Sequence, residues 1–200
     1  MWKQNIFREM DIHLLQDESP SHYFNEISKD MIFDQYPLQF LSRLKQTEQS
    51  PIHHPEGSVW NHTMLVIDEA AKRRHKSNQK KVFMWAALLH DIGKPDTTKK
   101  RKGKITSYEH DKLGAEMTRN FLMEFTQDKI FIEQVVLLVR WHMQILFVVN
   151  DLPFADIKTM KEQVDINEVA LLGLCDRLGR VGADQKKEEN NIRIFIQKCN

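Results

Sequence analysis

Five residues stand where helical spacing would otherwise put apolar side chains: His62, the adjacent pair His90 and Asp91, His142 and Asp176. His142 falls on a stripe with Val135, Leu138, Val139 and Leu146, and Asp176 shares a face with Val169, Leu172 and Arg180. His62 is followed at helical spacing by Leu65, Val66, Glu69 and Ala70, and the His-Asp pair closes the apolar run KKVFMWAALLH. One histidine on such a face is ordinarily a hydrogen-bonded core residue. A buried carboxylate without a partner costs on the order of several kcal/mol and demands a cation. Several of both in one chain are most simply explained by convergence on a metal. Imidazoles with carboxylates suit first-row divalent ions such as manganese, iron, cobalt, nickel or zinc. Successive helical residues diverge by about 100°, so His90 and Asp91 share one ion most easily where a helix frays. Gly93 and Pro95 supply that end, the first as the favoured residue past a last turn, the second because it cannot continue a helix.

The elements that must position these residues are helical. Spacings of three and four dominate, and period-two alternation is nearly absent. Seven glycines and six prolines among 200 residues suit short connections. The pattern predicts helices at about 3–15, from Ser19-Pro20 to before Tyr36-Pro37, and a short one holding Leu38, Leu41 and Leu44. Further helices are expected from Val59 to Arg74, from Asn78 to near Asp91, and at about 110–125, 128–147, 152–161, 165–180 and 184–198. Ser58, Asp128 and Asp165 read as their caps. QSPIHHPEGSVW reads as a loop, and KKRKGKITSYEH as a surface loop or short hairpin.

Composition narrows the class. Apolar residues make up 41% and charged residues 28%, as in ordinary soluble domains. A net charge of +1 argues against a polycation built for nucleic acid. No apolar run reaches the roughly 18–20 residues of a membrane span, and acidic residues come too early for a secretory signal. Two cysteines, Cys175 and Cys199, offer neither a disulfide framework nor a thiolate zinc site. A reducing cytoplasm is the expected compartment. Nine histidines are the unusual feature.

In order along the chain, WNHTMLVIDEA, AALLHDIGKP and LCDRLGR carry His62, His90-Asp91 and Asp176. This series resembles the HD-domain superfamily of metal-dependent phosphohydrolases. With HHPEGSVWNHT it is most similar to the HD domain of bacterial tRNA nucleotidyltransferases and its free-standing relatives, over about residues 50–180. The resemblance implies an all-α HD-domain helical fold with a helical N-terminal extension: residues 1–49 packed on an HD domain of residues 50–200. It implies that His62, His90, Asp91 and Asp176 hold one ion. His110 in SYEHDKLGAE and His142 in VRWHMQ would hold a second, bridged by Asp91. One or two divalent first-row ions are therefore expected, with magnesium also possible. The chain leaves no room for a nucleotidyltransferase domain, so nucleotide addition is not expected, and the Gly-Tyr-Pro signature of the cyclic-dinucleotide branch is missing.

The expected activity is hydrolysis of a phosphate ester in a nucleotide, cyclic nucleotide or related small molecule by a metal-activated hydroxide. Asp91 would orient the water, and Lys94 would bind a phosphate oxygen. Arg180, one turn after Asp176, is the second anion-binding candidate, while Arg177 points away and reads as structural. His53 and His54 read first as a solvated loop, with His54 carried as a substrate contact. Trp60, Met10, Met31, Met84 and Met123 read as core, Cys175 as a small buried neighbour of Asp176, and His13, His22 and His75 as surface. No membrane and no stable nucleic-acid partner are expected, and oligomeric state is not legible. A di-iron oxygenase on the same ligand pattern, or a nucleotide-binding module that has lost catalysis, are the rival classes.

Overall fold

A computed structural model of the chain describes residues 2–200. The helices are α1 (Trp2–Gln16), α2 (Ser21–Ile27), α3 (Gln39–Ser42), α4 (Val59–Arg73), α5 (Lys80–Leu89) and α6 (Lys94–Thr97). An antiparallel hairpin of β1 (Lys99–Arg101) and β2 (Lys104–Thr106) follows. The chain continues as α7 (His110–Met123), α8 (Lys129–Trp141), α9 (Gln144–Val149), α10 (Ile157–Gln163), α11 (Ile166–Leu178) and α12 (Gln185–Cys199). The fold is thus all-α, and the basic run forms the hairpin.

The centre of the molecule is α5, whose residues from Val82 to Leu89 are all buried. It is packed by α1, α4, α8 and α11. Full burial of one Leu, Phe or Met contributes about 1.5–3 kcal/mol, so a helix buried all round makes a rigid mount for whatever follows its last turn. Local sequence fixes where the neighbours start. Ser58, Asp128, Asp156, Asp165 and Asp184 each accept a backbone N–H at a helix start, an interaction worth about 1 kcal/mol.

Several expectations are corrected. The second long helix begins at Lys80, because Asn78 N–H and Ser77 Oγ donate to the Glu168 carboxylate at 2.8 and 2.7 Å. Helix 128–147 divides into α8 and α9, with His142 and Met143 between them. That break changes the helical phase, so Leu146 is exposed and does not share the His142 stripe. Leu65 is likewise exposed while Val66 and Ala70 are buried. Met10 and Met84 are core, whereas Met31 and Met123 lie at the surface. Ser21 makes the polar tie at the start of α2, through its amide and hydroxyl to Asp68. By length and apolar content Lys129–Val149 could cross a membrane. In the fold it holds the break at His142, and Val135, Leu138, Val139, Ile145 and Val148 are core residues.

Candidate metal centre

Six ionisable residues from five places in the chain meet beside the C-terminal end of α5. His62 comes from α4, His90 and Asp91 from just beyond α5, His110 from the first position of α7, His142 from the end of α8, and Asp176 from α11. Asp91 is at the middle. Its carboxylate stands 3.2 Å from His90 Nε2, 3.3 Å from His110 Nε2, 3.9 Å from His142 Nε2 and 4.0 Å from His62 Nε2. His62 Nε2 is in turn 2.9 Å from Asp176 Oδ1.

Gly93 allows part of this convergence, for a reason other than its position past a helix end. Its φ of −81° is open to any residue. A Cβ there, however, would run into the His110 carbonyl and stand 2.7 Å from the Gly114 amide nitrogen. The glycine lets the chain after Asp91 lie directly against α7, which brings His110 to Asp91.

Backbone carbonyls set the protons on three imidazoles. Nδ1–H of His90 donates to Ala87 O at 2.9 Å, that of His110 to Ser107 O at 2.6 Å, and that of His142 to Val139 O at 2.6 Å. Each Nε2 is then a bare lone pair aimed inward. His110 Nε2 and His142 Nε2 are only 3.3 Å apart, a buried juxtaposition of acceptors that calls for a cation. Burial pushes His142 down to about 4 and also lowers His110, so both are neutral and able to ligate at pH 7. Burial acts against ionised Asp91 and Asp176, but His90 and Lys94 beside the first, and Arg180 and His62 beside the second, hold both well below the usual carboxylate range.

The donors present fit a divalent ion. His90 Nε2 is buried without a hydrogen-bond partner. Asp91 Oδ2 lacks a directed hydrogen bond, although Lys94 Nζ lies 2.6 Å away in an ion pair. His62, His90 and Asp91 form one compact ligand set that Asp176 can complete, and Asp91, His110 and His142 form another.

Cationic residues border the cluster. Lys94 is buried, and its ammonium also donates to Gln49 Oε1 at 2.7 Å. Arg180 Nη2 reaches the Asp176 oxygens at 3.4 and 3.5 Å, and its Nε is buried without a partner. His53 is exposed but His54 is buried, so the solvated reading fails for His54. The His54 ring packs 4.7 Å from that of His62 and its Nδ1 is 2.8 Å from Glu56 Oε1. Trp60 is core and donates to Asn25, Cys175 is fully buried with its thiol pushed up to about 12, and Arg177 pairs with Glu188. His22 and His75 are exposed, while His13 is half-buried against Tyr23.

Two polar residues of this site were not singled out in the sequence, Glu56 and Gln49. Both lie on the loop 47–58, which is pinned by the Glu48–Ser58 bridge and by Val59 N–H donating to Thr47 O at 3.0 Å. Gly57, at φ 94°, makes the turn that returns this loop to α4. Helical periodicity is silent in such a segment; the only signal was an acid between Pro55 and Gly57, two residues from a histidine. A separate surface cleft of about 560 Å³ lies between the hairpin and α7, bordered by Asp96, Lys99, Tyr108, Lys112 and Glu116. Its mixed charge and its lack of the six clustered residues give no reason to place the chemistry there.

Residues 59–180 match the HD domain family, a span that contains all six clustered residues. A multifunctional CCA protein of Halorhodospira halophila is 32% identical over 48% of this chain and 21% of its own length. One from Methylococcus capsulatus is 23% identical over 92% of this chain and 37% of its own. An A-adding tRNA nucleotidyltransferase of Deinococcus radiodurans is 30% identical over 48% of this chain and 21% of its own. The chain therefore spans a fifth to somewhat over a third of these relatives.

Proposed function

The chain belongs to the HD-domain family, and from that premise we propose that it is a metal-dependent phosphohydrolase of a nucleotide, cyclic nucleotide or related phosphate ester. The observation that carries this reading is the cluster of inward lone pairs around Asp91, with Lys94 and Arg180 at its border. In the proposal His62, His90, Asp91 and Asp176 hold one divalent first-row ion, and Asp91, His110 and His142 a second. Such ions, when bound, supply Lewis acidity that makes water a nucleophile at neutral pH and offsets charge on a phosphate.

The chain's own residues supply the rest. Asp91, held ionised, accepts a hydrogen bond from water and orients it. Arg180 offers the buried N–H of its Nε, which has no protein acceptor, to a phosphate oxygen. Lys94 adds a point charge, and His54 lines the same side. The buried, reduced cysteines Cys175 and Cys199 support a cytoplasmic setting.

A second reading makes the ester the end of a nucleic-acid chain, against the expectation of no stable nucleic-acid partner. The basic hairpin favours it: Lys99, Lys100, Arg101, Lys102 and Lys104 are clustered there, and Ser107 just beyond it holds His110. The names of the relatives, which concern CCA and tRNA, point the same way. Strong salt dependence of oligonucleotide binding would support it, and binding indifferent to salt would remove it.

Elemental analysis of wild type beside Asp91→Ala, with hydrolysis of bis-(p-nitrophenyl) phosphate, tests the main reading. One or two equivalents of metal with turnover, both lost in the variant, are expected. Retained turnover in Asp91→Ala sinks the mechanism. Two irons with oxygen consumption and no phosphate release would instead establish the oxygenase, and neither metal nor turnover would leave a binding module.

A further inference from the structure

Glu56 is the residue at this centre with the most partners and no assigned task. Its Oε1 lies 2.8 Å from His54 Nδ1 and 3.0 Å from His62 Nδ1. Its Oε2 is 3.4 Å from the Val181 amide nitrogen, one residue beyond Arg180. Its own backbone is fixed, since Asn61 Nδ2 donates to Glu56 O at 2.9 Å and the peptide that follows enters the Gly57 turn. The carboxylate side chain is 3% exposed. A buried carboxylate so placed must be matched by donors, and the donors in reach are two imidazoles and one amide.

The three carbonyl-bound histidines show what His62 lacks. It has no carbonyl on Nδ1, and that nitrogen has no well-directed hydrogen bond; Glu56 stands within range but off axis. We propose that Glu56 is the positioning residue of the first ligand set. It accepts a hydrogen bond from Nδ1–H of His62, which keeps the proton there and leaves Nε2 as the ligating lone pair, and the same oxygen fixes the His54 ring beside it. Its second oxygen ties down the turn that carries Arg180. The carboxylate also makes the His62 ring a stronger donor than a carbonyl would. Nothing connects Glu56 to His110 or His142, whose protons are held by Ser107 and Val139.

The inference rests on the proposed metal centre and separates its two halves. Zn²⁺ binding is measured by competition with a chromophoric chelator in the full chain, for wild type, Glu56→Gln, Glu56→Ala and His54→Ala. Losing a partner of this kind lowers affinity about 10–100-fold. In Glu56→Ala that loss is expected in one equivalent while the other is unchanged. Glu56→Gln keeps an acceptor but not the charge and should fall between, and it carries the test where the alanine variant fails to fold. His54→Ala should leave both equivalents close to wild type. Equal weakening of both equivalents, or none, overturns the inference while leaving the metal centre standing. A wild type that binds no zinc overturns the centre itself.

Discussion

The Lys94 ammonium lies 2.6 Å from Asp91 Oδ2, so a metal ion arriving at that carboxylate meets a positive charge already in place. In the protein without metal this ion pair keeps a buried Asp91 ionised. Two unit charges about 4 Å apart interact by about 4 kcal/mol at an effective dielectric constant near 20. Lys94 therefore stabilises the empty centre and opposes its filling. Lys94→Ala should bind metal more tightly than wild type, by up to about 10³-fold for a repulsion of that size. Turnover should nevertheless drop, by about 10²–10³, because the charge proposed to face the phosphate is gone. Chelator competition and steady-state kinetics check the two halves. A variant that binds metal more weakly would show that Lys94 acts by holding Asp91 in place.

Elements bring the residues together, and the tightest joint is between the turn after α5 and the start of α7. Gly93→Ala places a methyl against the His110 carbonyl and the Gly114 amide, both backbone, so neither can swing aside. Overpacking of this kind costs about 1–3 kcal/mol. The shift should fall on His110 and weaken the ligand set of Asp91, His110 and His142 while sparing that of His62 and Asp176. Thermal melting and metal stoichiometry would show it; unchanged values for both would mean that α7 yields freely. This joint also marks what the sequence could reveal. Caps at Ser58, Asp128 and Asp165 were legible because a cap is a local contact between a side chain and an amide two or three residues on. The out-of-place His62, His142 and Asp176 were legible because helical spacing exposes a polar residue on an apolar stripe. The break after His142, the need for glycine at position 93 and the partners of Glu56 arise from contacts distant in sequence, which no local pattern encodes.

For the whole molecule, buried histidines tie stability to pH in two opposite directions. His54 is lowered to about 4, chiefly by burial with Lys94 and His62 adding, and His142 to about 4 by burial and its histidine neighbours. His110 is lowered too, by burial. Below an unfolded pKa of about 6.5 the unfolded chain takes up protons at these sites and the native one does not. Stability therefore falls as the pH drops from about 6.5 towards 4. His62 is the reverse case: burial opposes its charge, but Asp176 and Glu56 outweigh that and raise it. Its contribution is complete below about 6.5 and is lost as the pH rises through the native value. Depressed Asp91 and Asp176 act in a lower window, losing their contribution only below about pH 4. Chelator-treated protein should accordingly be most stable near pH 6.5, with its urea midpoint falling towards both pH 5 and pH 8. Added zinc should shift the optimum upward, because the ion needs every imidazole deprotonated and replaces the proton between His62 and Asp176. A midpoint that climbs from pH 5 to about pH 7 and then stays level to pH 8 without metal would mean that His62 is neutral in the native protein, and that Asp176 draws its compensating charge from Arg180 instead.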